Sequence, residues 1–407
     1  MEKKSQSKAS PKLSILALLF IFAVSFTAIS FGFKNLKFAA NADEGYYLKY
    51  AAYIGDKGVS GFPDLFRDYT ENQQNWLFPN PLRIGFIILS SIWLNIFGYS
   101  FLNLAYLSLF CFYAFLFACF YFVKKYFGKN SALLFTVLLA FSPLNMAMAR
   151  RALMDSCSNL FMVLSVWLFF DTLRENKIFK TALFILVYSF TILVKESSVL
   201  LSIFFIFYIL IRRGVFKKPV RPRDFLAATL LPFGIVGIVY VIAAGGMSYV
   251  MDTAEIIIKS PQTNQYAIMF GSGPWFSYII DWILLSPWVA VLAIAFPLYY
   301  ITKDEWEEAI FYLILFSITL IFLFSFFTKN IRYLIILDMP IRLFAILMLN
   351  ELRLRIFKDK AFIMLVFIVI AVSFSDYSNF YNLFVRHDIY DPVTQWLLQA
   401  QHIIPWK

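Results

Sequence analysis

The chain has 407 residues, 61% of them hydrophobic and 15% charged, with a mean hydropathy of +0.71. A soluble domain carries more charge than this, so the composition implies a polytopic membrane protein and leaves no room for a sizeable soluble domain between the apolar runs. The formal net charge of +11 raises nucleic acid as a partner. The basic residues, however, are scattered through short loops between apolar runs, which argues against it.

The N-terminal segment carries Lys3, Lys4, Lys8 and Lys12, and the first apolar run follows at Leu13–Phe33. About 20 apolar residues is the length of a span, longer than a signal h-region, so this run is read as an uncleaved helix. With the basic N-terminus inside, the side of every later loop depends on whether Leu82–Phe97 crosses. If it does not, 21 of the 36 Lys and Arg lie inside. If it does, only 13 do. Cytoplasmic loops collect Lys and Arg, so Leu82–Phe97 is expected to be juxtamembrane or re-entrant.

That parity gives about eleven spans. After the first they are expected at 101–123, 131–149, 153–170, 179–194, 197–211, 225–244, 277–301, 309–328, 331–349 and 361–375. A first outer loop then covers 34–100, a second covers 245–276, and an outer tail covers 376–407. The protein reads as an integral protein of a prokaryotic cell membrane with a cytoplasmic N-terminus and its polar chemistry on the outer face.

In the first outer loop, "NADEGYYLKYAAYI" places Tyr46, Tyr47, Tyr50, Ala51 and Ile54 at helical spacing, an amphipathic helix with aromatics for the headgroup layer. Asp43 and Glu44 sit at its start. Asn41 with Glu44 is a capping-box pattern, and acids suit a first helical turn. A carboxylate at this boundary also suits general-base work on an alcohol. Residues alone leave both readings open.

Further along, "ARRALMDS" puts Arg151 and Asp155 four apart, a pair or a functional site at a helix end. Lys195 and Glu196 occupy a tight hairpin between apolar helices, where a lone snorkelling Lys is understandable but a Lys–Glu pair suggests a phosphate site. "KNIRYLIILDMPIR" adds Lys329 and Arg332, the latter a candidate phosphate ligand, and an Asp338–Arg342 pair read as structural. The loop at 245–276 reads as a cover for a cavity with Gly271 and Gly273 as pivots, or as an ordinary connector. Asp391 before Pro392 reads as the N-cap of an outer helix. Cys111, Cys119 and Cys157 lie in or beside apolar runs, and His387 and His402 are far apart in the tail, so nothing indicates a disulfide framework or zinc. Nucleotide- and flavin-binding motifs are absent as well.

The order of these features resembles the GT-C glycosyltransferases, in particular the group with protein O-mannosyltransferases and lipid A aminoarabinose transferases. The resemblance rests on D-E-x-Y-Y at Asp43–Tyr47, Pro-x-Pro-Leu at Pro79–Leu82, R-x-x-x-D at Arg151–Asp155 and Lys195-Glu196. It continues in P-W-F-x-Y at Pro274–Tyr278, Arg332-Tyr333 and Met339-Pro340. Two departures stand out. The base that the family carries before Pro-Pro-Leu is displaced to Arg83, and a short tail replaces the large outer C-terminal domain of many members.

The resemblance implies an all-α GT-C fold with juxtamembrane helices in the first outer loop and a catalytic domain over 13–375. It also implies inverting transfer of a sugar from a polyprenyl phosphate to a lipid, glycan or protein hydroxyl. Asp43 becomes the base, Glu44 contacts the acceptor, and Asp155 joins them at the catalytic centre. Lys195, Arg332, Arg151 and Arg83 fall near the lipid phosphate. Tyr46, Tyr47, Trp275, Tyr278 and Tyr333 are acceptor or lid candidates. No cofactor is required in this reading, and a divalent metal is compatible but not indicated. The alternative is a transporter or flippase, whose helices also carry charges along a substrate path. A lipid-binding scaffold without catalysis is a third reading.

Overall fold

The computed structural model describes residues 11–31, 33, 36–303, 306–356 and 361–405. Residues 1–10 of the expected basic N-terminus, Lys34, and residues 357–360 of the "LRLRIFKDK" segment lie outside them. Among the described residues every regular element is helical. The order is α1 (Pro11–Ser30), α2 (Asp43–Lys57), α3 (Phe62–Glu71), α4 (Ile84–Phe97), α5 (Phe101–Phe127), α6 (Lys129–Ala140), α7 (Pro143–Ala149), α8 (Asp155–Glu175), α9 (Ile178–Val194) and α10 (Leu201–Gly214). Then come α11 (Pro222–Ala228), α12 (Leu230–Ala244), α13 (Met247–Thr263), α14 (Gln265–Gly271), α15 (Ser277–Leu285), α16 (Pro287–Ile301), α17 (Glu308–Phe324), α18 (Asp338–Ile356), α19 (Ala361–Phe380) and α20 (Thr394–Ala400).

Among the described residues six helices, counting runs such as Pro222–Ala244 as one, are long and apolar enough to cross a membrane, and α6 with α7 makes a seventh if that bent pair crosses as one. The expected eleven crossings need four of the five shorter apolar helices as well. The helix over 84–97 has 14 residues, a length of about 21 Å against a hydrocarbon core of about 30 Å, which suits a juxtamembrane element.

Several expected spans are broken, for local reasons. The run at 131–149 bends by 62° between α6 and α7, where Pro143 opens α7 and the Ser142 hydroxyl accepts from Asn145 N. The run at 277–301 breaks at Ser286-Pro287. The last span does not end at 375: α19 runs to Phe380 and continues as a π-helical turn, Tyr381–Arg386. The segment expected as the second outer loop folds as α13 and α14. Gly271 is also no pivot in this structure. A Cβ there would come within 2.0 Å of Thr328 Cγ2, so it marks close packing.

The deeper ion pair is structural, as its spacing implies. Arg342 is fully buried, with Nε 2.9 Å from Asp338 and Nη1 2.6 Å from Asp376 on α19. Nη2 donates to Ser286 Oγ (3.0 Å) at the α15–α16 break, and Nη1 to Leu138 O (2.9 Å). One guanidinium thus ties four segments together.

Other polar groups gather at helix ends. Lys125, Asp171, Glu175 and Lys180 form one cluster, with Nζ–carboxylate distances of 2.6–3.0 Å. At the same end of the bundle Glu308 holds Arg212 (2.9 Å) and Lys218 (2.6 Å). Since α8 has 21 residues, Asp155 at its start lies roughly 24 Å or more from Asp171, near the opposite end of the apolar layer.

Candidate active site

The site grows from the start of α2. Its apolar residues Tyr47, Tyr50, Ala51 and Ile54 are buried against protein, with Tyr47 edge-on to Phe86 of α4 at 4.9 Å. The expected headgroup-facing aromatics are therefore internal packing, because α4 covers that face. No side chain caps the helix, so the Asn41–Glu44 capping box does not form. Glu44 turns back instead. Its carboxylate accepts from Ala39 N (2.7 Å), Ala152 N (2.9 Å), Arg151 Nε (2.9 Å) and Arg151 Nη2 (2.8 Å). Gly45 makes this fold-back feasible, since a Cβ there would sit 1.8 Å from Ala40 O.

Arg151 consequently does not pair with Asp155. Residues 150–154 are bent, and α8 begins at Asp155, so the two never share a helical face. Arg151 faces Glu44, and its guanidinium lies over the ring of Tyr390 at 4.7 Å. Asp155 faces the other way and binds Arg332 through Nη2 (2.9 Å) and Nε (3.2 Å), with Lys195 Nζ at 3.7 Å. Lys195 in turn sits over the Tyr333 ring at 5.4 Å.

Glu196 holds Arg83 by two contacts of 3.1 Å and accepts from Asn80 Nδ2 (2.9 Å). Arg83 also donates to the Tyr47 hydroxyl. Lys195 and Glu196 are thus adjacent in sequence but serve different partners.

Arg332 is the hub. Besides Asp155 it meets Asp391 (3.4 Å) and Asp43 (3.6 Å). Asp391 is not an N-cap, because α20 starts only at Thr394. Its carboxylate accepts from Asn330 Nδ2 (2.6 Å) and from the Tyr266 hydroxyl of α14. Cations separate these carboxylates, and among the described residues no three His, Cys, Asp or Glu side chains converge as a metal-ligand set.

Asp43 stands apart from the other acids. Its side chain is 32% exposed, against 0% for Glu44, 2% for Asp155, 11% for Asp391 and 18% for Glu196. Its ion-pair contact is the 3.6 Å approach to Arg332. Enclosure by the surrounding protein raises its carboxyl pKa, with Arg332 and then Arg83 pulling the other way.

The structure thus brings Asp43, Asp155, Lys195, Arg332 and Tyr333 together, with Glu44, Arg151, Arg83 and Tyr47 around them. Four expected roles do not fit. Glu44 cannot contact an acceptor, since both its oxygens are occupied in a fully buried clamp. Tyr47 is buried with its hydroxyl on Arg83, and Tyr278 is buried with its hydroxyl on Phe324 O (3.3 Å), so neither lines an open site. Trp275 is exposed and makes its ring contact with Phe276, outside the cluster. Tyr46 is half-buried and stacks on Phe78 at 4.0 Å, beside the cluster.

Sequence reasoning missed Asn80, Tyr266, Asn330, Tyr390 and Asp391 as members of the site. For Asp391 the one available signal was an acid beside an aromatic in a sparsely charged tail.

The model of the dolichyl-phosphate-mannose-protein mannosyltransferase family matches residues 81–240. That stretch includes Arg83, Arg151, Asp155, Lys195 and Glu196. "Putative mannosyltransferase YkcB" of Bacillus subtilis (strain 168) is 27% identical over 99 residues, which is 24% of this chain and 14% of that protein. Two solved structures share the architecture. The oligosaccharyltransferase of Archaeoglobus fulgidus, tethered to an acceptor peptide containing the NVT sequon, superposes with a TM-score of 0.57 at 11% identity, over 92% of this chain and 55% of that one. ArnT from Cupriavidus metallidurans, bound to undecaprenyl phosphate, gives 0.53 at 12% identity, over 84% and 61%. The chain has the GT-C fold. It spans little more than half the length of these two GT-C structures.

Proposed function

We propose that the protein is an inverting glycosyltransferase that moves a sugar from a polyprenyl-phosphate donor to an acceptor hydroxyl at the outer membrane face. One observation carries this reading. Asp43 is the acid of the cluster left partly open and loosely held, and it sits at the edge of an Arg332–Asp155–Lys195 network. The name of the matching family contains dolichyl-phosphate-mannose, and the ArnT structure holds undecaprenyl phosphate, which supports the donor class.

In this mechanism the acceptor O–H gives its proton to an Asp43 carboxylate oxygen while the acceptor oxygen bonds to the anomeric carbon. The bond from that carbon to the phosphate oxygen breaks, and the phosphate keeps the electron pair. Arg332 and Lys195 stabilise the charge that develops on it. Inversion requires acceptor and phosphate on opposite sides of the anomeric carbon. Asp43 contacts the network through Arg332, and Lys195 contacts it through Asp155, so the base and the second cation have different partners in it. Arg83 and Arg151, each already matched to a glutamate, shape the site without binding phosphate directly. Transport finds less support, since the site's charges gather at one end of the bundle and the deeper Asp338–Arg342–Asp376 group is closed on itself by ion pairs.

The test is Asp43→Asn in purified protein, with undecaprenyl-phosphate mannose as donor and an envelope extract as the source of acceptors. Transfer should fall by roughly 10²–10⁴-fold while undecaprenyl phosphate still binds. Near-normal transfer by this variant refutes the assignment.

A further inference from the structure

Asp391 lies on the seven-residue connection between the π-helical turn and α20, yet three side chains from other segments aim donors at it. Asn330 Nδ2 lies at 2.6 Å, Arg332 Nη1 at 3.4 Å, and the Tyr266 hydroxyl also donates. Asn330 and Arg332 are buried, at 7% and 8% exposure. An amide and a guanidinium on Oδ1 and a phenol on Oδ2 make a site for an oxyanion with two oxygens, a carboxylate or a phosphate. Here the chain's own tail fills it.

An incoming phosphate that takes both Asn330 and the Nη1 of Arg332 must replace the carboxylate now held there. Asp155 grips Arg332 through two nitrogens, at 2.9 and 3.2 Å, and is held by Lys195 as well. Asp391 contacts it through one nitrogen at 3.4 Å, from the connection to a short helix, and Tyr266 on its flank is 40% exposed. Of the two carboxylates hydrogen-bonded to Arg332, Asp391 is therefore the one that yields at less cost; Asp43, at 3.6 Å, makes no hydrogen bond to it. The exchange also conserves charge, because a carboxylate leaves as a phosphodiester of the same charge arrives.

We infer that the Asn330–Tyr266–Arg332 triad binds the phosphate of the polyprenyl donor and that Asp391 occupies that place in the empty enzyme. This rests on the donor class proposed above. After transfer the departing lipid phosphate carries up to two negative charges and binds the triad more strongly. The return of Asp391 competes with it and favours product release.

The experiment measures undecaprenyl phosphate binding to the purified full-length chain, with thermal unfolding to confirm that each variant is folded. Asp391→Asn keeps the shape but removes the competing charge, so affinity should rise, on the order of tenfold. Asp391→Ala serves as a second variant should Asp391→Asn misfold. Tyr266→Phe removes a donor and should weaken binding by roughly threefold to tenfold.

Unchanged or weaker binding by Asp391→Asn overturns the inference and leaves Asp391 as a support for Arg332. Tighter binding by Tyr266→Phe also overturns it, since Tyr266 would then only hold the tail. Inorganic phosphate binding as tightly as undecaprenyl phosphate overturns the lipid assignment. Absence of undecaprenyl phosphate binding in wild type and variants alike refutes the donor reading itself. Wild-type binding that Lys195→Ala abolishes and Asp391→Asn leaves unchanged refutes this inference alone.

Discussion

Neighbouring carboxylates at the start of α2 should respond in opposite ways to loss of charge. Glu44 is fully buried and accepts four hydrogen bonds, two from backbone N–H groups and two from Arg151. In Glu44→Gln one oxygen becomes an amide nitrogen. Whichever oxygen is lost, one backbone donor and one guanidinium donor then face a donor. Arg151 also loses its buried counterion, with Asp388 left at 3.9 Å on a half-exposed side chain as partial compensation. Removing one partner of a buried ion pair costs about 3–5 kcal/mol, and Asp388 argues for the lower end. Asp43→Asn touches one 3.6 Å contact on a side chain that is 32% exposed, so its stability should stay within about 1 kcal/mol of wild type. Denaturant unfolding in detergent measures both. Glu44→Gln should unfold early and keep turnover while folded, and Asp43→Asn should stay folded and lose turnover. A Glu44→Gln/Arg151→Met double variant should be more stable than the sum of the single changes, because no unpaired charge remains. Glu44→Gln stability within about 1 kcal/mol of wild type would refute the clamp.

Two further predictions concern pH and orientation. Enclosure by protein raises the Asp43 carboxyl pKa above that of an ordinary aspartate, so the acid limb of the pH–rate profile should lie above that ordinary value, with turnover lost as pH falls through the raised one. The linked stability has the matching sign: the penalty of ionising Asp43 is absent below its unfolded value and complete above the folded one, and Asp43→Asn should abolish it. A profile with its acid limb in the ordinary range would contradict the burial argument. For orientation, the three cysteines are buried, so single exposed cysteines can be labelled without removing them. Val59→Cys should react with an impermeant maleimide in intact cells and Lys217→Cys should not, and the reverse would invert the topology.

Much of the scaffold was legible in the sequence. Lipid reads each helix by its own apolar length, so hydropathy and loop charge locate most helices from local composition. The helix α2 followed from the period of Tyr46, Tyr47, Tyr50, Ala51 and Ile54, though α4 and not the headgroup layer covers that face, and the Asp338–Arg342 pair followed from its spacing. Helix breaks were visible too, as Ser142-Pro143 and Ser286-Pro287, but continuous apolarity on both sides hid them. What local pattern cannot carry is which charge meets which. Arg151 lies four residues from Asp155 and 107 from Glu44, and it pairs with Glu44. Lys195 and Glu196 are adjacent and part company. Arg332 finds Asp155 across 177 positions and Asp391 across 59.

These partners are chosen by how helix ends are stacked, and that choice decides the chemistry. Six acids meet cations at this end of the bundle, and five of them border the site, Asp388 reaching only Arg151 at 3.9 Å. A carboxylate already holding an arginine and two or three hydrogen-bond donors cannot accept a proton from a substrate without first giving up that arrangement, at several kcal/mol. Glu44 is committed to Arg151 and the backbone, Glu196 to Arg83 and Asn80, Asp155 to Arg332 and Lys195, and Asp391 to Asn330, Tyr266 and Arg332. Asp43 holds one distant guanidinium and is partly open, so it can take a proton without dismantling the site. Sequence places Asp43 and Glu44 side by side with the same charge and the same claim to reactivity. Tertiary packing separates them by burying one in a clamp and leaving the other at the edge.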